Sequence, residues 1–339
     1  MTGQRKTVLK RRLSAALCLL LVFSLVLGGC GKKKSKKKSA DTTQASFESE
    51  YKTYYQKNHK NDFKPPAGMA EGLAVLSADQ EDTPDFYTTD KADLLINDST
   101  GEVLDSYHCF RKAYPASITK IMTALLVLEN GNLDDEITLT HNTVIVDEGA
   151  VMSTLTRGDT VTVDAVLHTL LIKSANDCAV ILAEYIAGDE QSFVEMMNKR
   201  AWELGATHTH FVTTNGLHRD DHYTTAYDLY LIFKKVVEYD TFVDIVSSKD
   251  YTLTYRNSAG SVINEYMETT NYYLLNEYPV PAGLTMYGGK TGTTSAAGSC
   301  LILMTENEAG DRFFSVVLGA RSKPDLYDSM TRLLEKIPK

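Results

Sequence analysis

Three groups of residues in this 339-residue chain have types and spacings that can do chemistry: Ser117-Ile118-Thr119-Lys120, Ser174-Ala175-Asn176 and Lys290-Thr291-Gly292. A serine hydroxyl is a poor nucleophile at its own pKa, so a base must take its proton as it attacks a carbonyl. A lysine three residues further on is such a base only while neutral, and burial or a neighbouring cation both disfavour a charged amine. Lys290 supplies that cation and a docking charge for an anionic substrate end. The reaction class these residue types specify is serine attack through an acyl-enzyme.

The first pattern is cheap by itself. Ser followed three places later by Lys arises roughly once in a few hundred positions at ordinary composition, and Ser35 with Lys38 repeats it inside a lysine run. The other two motifs are rarer. Ser-x-Asn and Lys-Thr-Gly each occur once, in order after Ser117, at separations of 57 and then 116 residues. Order, spacing and flanking structure carry the assignment.

The elements that must position these residues are legible in outline. Ala92 to Asp105 reads as a hairpin turning at Asn97 to Gly101. Pro115 and Ala116 precede a helical run with Ile121, Ala124, Leu125 and Leu128 on one face, ending at Asn130-Gly131. Ser117 then sits at the mouth of a helix, with Lys120 one turn on and on the same face. Helical periods dominate from about 133 to 246, including Val163 to Lys173, Asp177 to Ala187 and Gln191 to Leu204, and Ser174-Ala175-Asn176 falls in the break between the first two. Strands return at Ser299 to Thr305 and Arg312 to Leu318, and Asp325 to Ile337 closes the chain as a helix. Glycines at 288, 289 and 298 around Lys290-Thr291-Gly292 allow a substrate to come close to a strand edge. Strands from both ends of the sequence thus enclose a helical insertion.

The N-terminus locates the site. Arg5, Lys6, Lys10, Arg11 and Arg12 precede an apolar run, Leu13 to Leu27, that ends at Gly28-Gly29-Cys30, the form of a secretory signal and not of a comfortable membrane span. Leu27-Gly28-Gly29-Cys30 resembles a bacterial lipobox, which implies a signal peptide over 1–29 and lipidation of Cys30. Six lysines between Lys32 and Lys38 add the basic charge that a single lipid anchor needs at an anionic membrane surface. A polar tether is expected over 30–84, with Gly72 to Leu76 apolar enough for a short strand or a patch docking on the domain, and the catalytic domain over 85–339. The expectation is an exported protein on the outer face of the bacterial cytoplasmic membrane. Beyond residue 40 the chain carries 24 basic against 44 acidic side chains, which repels nucleic acid. Cys109, Cys178 and Cys300 lie far apart without neighbouring ligands, and are expected to be small buried hydrophobes.

The site stretches, taken together, resemble low-molecular-mass penicillin-binding proteins, the D-alanyl-D-alanine carboxypeptidases. The resemblance runs from about Ala92 to Glu335 and rests on Pro115 to Ala124, Ser174 to Asp177, Asn215-Gly216-Leu217, His222 to Leu229, Gly289 to Thr294 and Val316 to Ala320. It implies an α/β (α+β) fold of the penicillin-recognising type: an antiparallel sheet flanked by helices, an inserted all-helical subdomain over roughly 133–246, and the site in the cleft between them. It also implies Ser117 as nucleophile, Lys120 as base and Ser174 as proton relay to the leaving amine. Asn176 would hold the substrate amide, Lys290, Thr291 and Gly292 its carboxylate end, and the backbone N–H groups of Ser117 and Thr293 the oxyanion. The implied reaction removes the terminal D-alanine from peptidoglycan stem peptides, with β-lactams as covalent inhibitors and no metal or organic cofactor.

The chain also departs from that pattern. Ala175 stands where relatives commonly carry Gly. Arg321 and Lys323 are out of register with an Arg that often binds the substrate carboxylate, and an all-β second domain and C-terminal anchor are not expected before Lys339. His218 and His222, with Asp220 and Asp221 between them, read as a hydrogen-bonded surface loop in preference to a metal site, and Trp202 as core. The rivals are a class A-like β-lactamase, for which Phe211 to Asn215 offers no deacylating Glu, an endopeptidase or esterase of the same fold, and a binding-only sensor.

Overall fold

A computed structural model describes Leu73, Ala74 and residues 91–339. The signal, Cys30, the lysine run and nearly all of the tether lie outside the described residues. Ala74 is fully buried, its N–H donating to Tyr230 Oη (3.0 Å) and its carbonyl accepting from Tyr227 Oη (2.8 Å), so this fragment docks on the domain.

The main sheet is five-stranded and antiparallel, built from β1 (Ala92–Asn97), β2 (Glu102–Tyr107), β7 (Leu284–Thr294), β8 (Gly298–Asn307) and β9 (Arg312–Ala320) in the order β2-β1-β9-β8-β7. Strands from early and late in the described residues therefore meet as β1 beside β9, and β7 is left at an edge. Period-two side chains split between two cores. Leu95, Leu301, Leu303, Phe313 and Val317 face the C-terminal helix α7 (Lys323–Leu334) and its Tyr327, Met330 and Leu333. Leu94, Ile96, Ile302, Met304, Phe314 and Val316 face the helices of the middle region.

Those helices are α1 (Lys120–Asn130), α2 (Val163–Ile172), α3 (Asn176–Ala187), α4 (Glu190–Glu203), α5 (Ala226–Val236) and α6 (Asp240–Ser247). Helix α1 is buried without a break from Lys120 to Val127, packed among α2, α3, α4 and α5. Such a helix has no solvent face to be amphipathic about, and burial at its first residue removes Lys120 from water. Side-chain caps set the helix starts: Thr162 accepts from Ala165 N–H, Asp189 from Ser192 N–H, Thr225 from Asp228 N–H and Ser322 from Asp325 N–H.

The stretch expected to be all-helical is not entirely so. Two short strands, β3 (Glu136–Thr138) and β4 (Thr160–Thr162), join β5 (Asp250–Arg256) and β6 (Val262–Glu268) in a second antiparallel sheet of order β3-β4-β5-β6. Three-residue strands are too short to show a period. The β5–β6 hairpin did carry one, since Leu253 and Tyr255 are buried and alternate with exposed Thr252, Thr254 and Arg256. Cys109, Cys178 and Cys300 are free and buried as expected, whereas Trp202 is only half-buried.

Candidate active site

A single 3-10 turn, Ala116–Thr119, delivers Ser117 ahead of α1. Ala116 takes the left-handed conformation at φ 47°, which a side-chain-bearing residue adopts only when its surroundings impose it. The imposing groups are visible. Thr119 Oγ1 donates to Ala116 O (2.9 Å), and a Cβ on Gly216 (φ 83°) would stand 1.9 Å from that oxygen, so only glycine lets the 213–217 segment pass behind the turn. Ala116 O and Ser117 N belong to one peptide plane and point in opposite directions. Fixing the carbonyl inward therefore fixes the Ser117 N–H outward, toward Gly292 of β7, whose added Cβ would lie 2.8 Å from Ser117 N.

Lys120 Nζ, wholly buried, lies 3.0 Å from Ser117 Oγ, 2.9 Å from Asn176 Oδ1 and 2.7 Å from Asn215 O. Burial, and after it the charge of Lys290, hold this amine well below the usual lysine range. A neutral amine has two N–H bonds and one lone pair. The two carbonyl oxygens accept only and claim both hydrogens, so the lone pair is left to the Ser117 hydroxyl proton. In its neutral form, which burial and Lys290 favour, the amine thus turns its lone pair to the Ser117 hydroxyl.

Across the cleft Lys290, also buried, donates to Ser174 Oγ (2.9 Å) and Thr291 O (3.0 Å), and burial pushes its pKa down to about 7. Ser174 occupies the break between α2 and α3 at φ 65°, turning its hydroxyl toward Lys290 while the next turn aims Asn176 at Lys120. Asn176 is further held by donation from its Nδ2 to Val151 O (2.9 Å). Ala175, where glycine was the expected residue, has φ −63° and a fully buried methyl, so nothing there requires glycine.

The edge strand β7 places Lys290, Thr291, Gly292 and Thr293 along the cleft. Gly292 allows contact with the Ser117 turn, and the Thr293 side chain is exposed. Thr291 Oγ1 lies 2.5 Å from Thr270 Oγ1. One hydroxyl of such a pair donates to the other, so the accepting one keeps its own proton for a substrate.

The structure brings all eight expected residues, Ser117, Lys120, Ser174, Asn176, Lys290, Thr291, Gly292 and Thr293, to this one cleft. It adds three groups that the sequence reading assigned no site role, although Asn215 and His222 fall in stretches that carried the resemblance. The Asn215 carbonyl is a backbone group and leaves no side-chain signal. Thr270 lies 21 positions from its partner, and no motif marks it. His222 was read as part of a surface loop, yet it is 2 % exposed. Its Nδ1 accepts from the N–H groups of Val212 (3.1 Å) and Thr213 (3.3 Å), which leaves the proton on Nε2 to be donated to Thr119 Oγ1 (2.9 Å). Burial first, then the charge of His210, pushes the His222 pKa down to about 4. The resulting chain from His222 through Thr119 to Ala116 O braces the strained peptide before Ser117.

Two carboxylates in this region are otherwise engaged. Asp177 accepts from Ser153 N–H (2.9 Å) and Oγ–H (2.5 Å), and Glu190 from Thr214 Oγ1 (2.8 Å). The two basic residues that were out of register separate: Lys323 Nζ donates to Tyr272 Oη (2.9 Å), while Arg321 lines a cavity at the end of β7.

The family profile described as D-alanyl-D-alanine carboxypeptidase matches residues 78–322. The chain is 30 % identical over 268 residues to the D-alanyl-D-alanine carboxypeptidase DacF of Bacillus subtilis, covering 77 % of this chain and 65 % of that protein. It is 30 % identical over 285 residues to DacC of Escherichia coli, covering 79 % of this chain and 67 % of that one. The chain thus spans about two thirds of the length of these curated relatives. Among solved structures, the Streptomyces K15 DD-transpeptidase superposes with a TM-score of 0.66 at 29 % identity, over 72 % of this chain and 95 % of its own. Penicillin-binding protein D2 of Listeria monocytogenes in its cefotaxime-bound form gives 0.62 at 29 % identity, over 75 % and 99 %. The α+β architecture expected from the motifs is the architecture of these neighbours.

Proposed function

Since the chain belongs to the D-alanyl-D-alanine carboxypeptidase family, we propose that it removes the terminal D-alanine from peptidoglycan stem peptides as a serine peptidase, and that β-lactams acylate the same serine. The single observation carrying this reading is the Lys120 environment, two acceptor carbonyls and one serine hydroxyl around a buried amine. Ser117 Oγ attacks the carbonyl of the penultimate D-alanine while its proton passes to Lys120 Nζ. The oxyanion forms between the N–H groups of Ser117 and Thr293, in a water-poor site where such donors are worth most. Collapse of the tetrahedral species breaks the amide bond. The leaving amine takes a proton from Lys120 by way of Ser174, which Lys290 holds in place. Lys290 and the Thr291–Thr270 hydroxyl pair bind the terminal carboxylate, and Asn176 orients the acyl-side amide. Water then repeats the sequence on the ester and regenerates Ser117.

The site is proposed to work outside the cell. Support for this comes from the charged start, the apolar run and Leu27-Gly28-Gly29-Cys30, which fit export and lipidation at Cys30, with the lysine run against an anionic membrane surface. Release of D-alanine from a diacyl-D-Ala-D-Ala peptide is the deciding assay. Release at a rate above penicillin turnover supports the carboxypeptidase. Rapid penicillin turnover without release would mean a lactamase, and labelling with neither would mean a sensor.

A further inference from the structure

Strand β6 turns Ile263, Glu265 and Met267 inward, the first and last against the main core, and exposes Val262, Asn264, Tyr266 and Glu268. A carboxylate in the middle of an apolar face needs partners, and Glu265 has two from segments distant in sequence. Lys173 Nζ donates to its Oε1 (2.5 Å) and Thr154 Oγ1 to its Oε2 (2.5 Å), across 92 and 111 positions. The side chains of Lys173 and Glu265 are only 26 % and 18 % exposed, so water and salt screen this pair less than a surface one. Burial raises the Glu265 pKa, but the bonds from Lys173 and Thr154 outweigh it and hold the carboxyl below its ordinary value. No step of the chemistry above uses Glu265.

Its two partners stand on the flanks of the break between α2 and α3. Lys173 is the C-cap of α2 and immediately precedes Ser174, whose φ of 65° a residue with a side chain keeps only where its surroundings over-determine it. Residues 151–154 clasp the other flank. Val151 O accepts from the Asn176 N–H (2.8 Å) and Nδ2 (2.9 Å), and Ser153 donates its N–H (2.9 Å) and Oγ–H (2.5 Å) to Asp177. Thr154 comes directly after Ser153, so Glu265 ties both flanks of Ser174 to one strand. That strand leads on to Thr270, five residues after Glu265, whose hydroxyl lies 2.5 Å from that of Thr291.

We propose that Glu265 is a positioning residue: through Lys173 and Thr154 it holds the break that aims Ser174 at Lys290, and it keeps that hydroxyl in step with the Thr270–Thr291 pair. This role rests on the carboxypeptidase reading. When the scissile C–N bond breaks, the leaving nitrogen takes the proton that Ser117 gave to Lys120, and Ser174 must stand between the two to hand it on. That nitrogen and the terminal carboxylate belong to one residue of the substrate. The relay and the carboxylate contacts must therefore stay in register, and β6 anchors the one and leads into the other. A thioester at the same bond makes no such demand, because a thiol of pKa about 8.5 leaves as the thiolate without a proton.

The test is kcat/KM for two peptides with the same acyl part and a terminal carboxylate, one ending in D-Ala-D-Ala and the other carrying D-thiolactate in place of the last residue. Glu265→Ala should lower the first about tenfold and leave the second within about twofold. Glu265→Gln, whose amide can still accept from Lys173 and donate to Thr154, should recover the amide rate to within about threefold of the parent. Lys173→Met, which removes the same bond from its more exposed end, should repeat the selective loss and stands in for Glu265→Ala if that variant does not fold. Equal losses on both peptides would show a merely structural role and overturn the proposal. So would an amide rate within twofold of the parent in Glu265→Ala, or a glutamine variant no faster than the alanine one. No D-alanine release by the parent protein while penicillin still acylates Ser117 would overturn the carboxypeptidase reading, and the positioning role with it.

Discussion

Replacing Gly292 with alanine tests how closely the edge strand and the nucleophile turn must fit. The new Cβ would stand 2.8 Å from Ser117 N, 3.0 Å from Pro115 O and 3.1 Å from the Ala116 Cβ, against an ordinary contact of 3.4 Å or more. Two of the three obstacles are backbone atoms, so no rotamer relieves them. β7 and the turn must separate by about 0.6 Å at the tightest contact, the shortfall between those distances. That shift widens the gap between the Ser117 and Thr293 N–H groups, the proposed place of the oxyanion. A displacement of about 1 Å, or loss of one oxyanion donor, costs on the order of 100-fold, so a fall in acylation of roughly 10- to 100-fold is expected. Overpacking costs ~1–3 kcal/mol, and alanine at a glycine position recovers ~0.4–1 kcal/mol by restricting the unfolded chain. The variant should therefore remain folded with a modestly lower Tm. Stopped-flow acylation by a fluorescent penicillin, beside a thermal melt, reads both quantities. Acylation within twofold of the parent protein would refute the idea that this contact sets the oxyanion geometry.

Other consequences follow from the same groups. The free enzyme's kcat/KM should be bell-shaped in pH, rising as Lys120 loses its proton and falling near pH 7 as Lys290 loses its own. In the kcat profile, which reports the complex, the falling limb should move to higher pH because the bound carboxylate favours charged Lys290; coincident limbs would argue against Lys290 as the carboxylate's partner. The depressed pKa of His222 means that the unfolded chain takes up the proton first as pH falls. Stability should therefore be lost from about pH 6.5 to about 4, by ~3 kcal/mol. His222→Gln cannot titrate, so its melting temperature should fall less steeply over that window, while acylation drops about tenfold because the brace on Ala116 O is weakened; a slope equal to the parent's would reject the assignment. Thr270→Val should raise KM severalfold for a peptide ending in a free carboxylate and leave the corresponding amide unchanged, as initial rates on the two substrates would show.

The motif residues were legible because each is needed for its side-chain type, and chemistry constrains those types more tightly than it constrains a fold. Their frame was legible too where periods are long: β8, β9, α3 and α4 begin and end within two residues of the expected limits. What escaped was whatever depends on a partner distant in sequence. Nothing at Asn215 announces that its carbonyl will claim a hydrogen from Lys120, 95 positions away. His222 sits among polar neighbours and looks solvated until the 209–225 segment is folded behind the nucleophile turn, where its two nitrogens meet two backbone donors and one hydroxyl. Arg321 looked out of register because it was compared with a carboxylate contact, whereas the fold sets it at the far end of β7.

Acylation of Ser117 with Lys120 as its neutral base is most directly tested by intact-protein mass spectrometry after brief exposure to benzylpenicillin, followed by peptide mapping. The expected result is one adduct with the full mass of the antibiotic, since attack opens the ring and expels nothing, carried on the peptide containing Ser117. It should be absent from Ser117→Ala and slowed by orders of magnitude in Lys120→Ala. An adduct on another residue, or one that forms at the parent rate without Lys120, would contradict it.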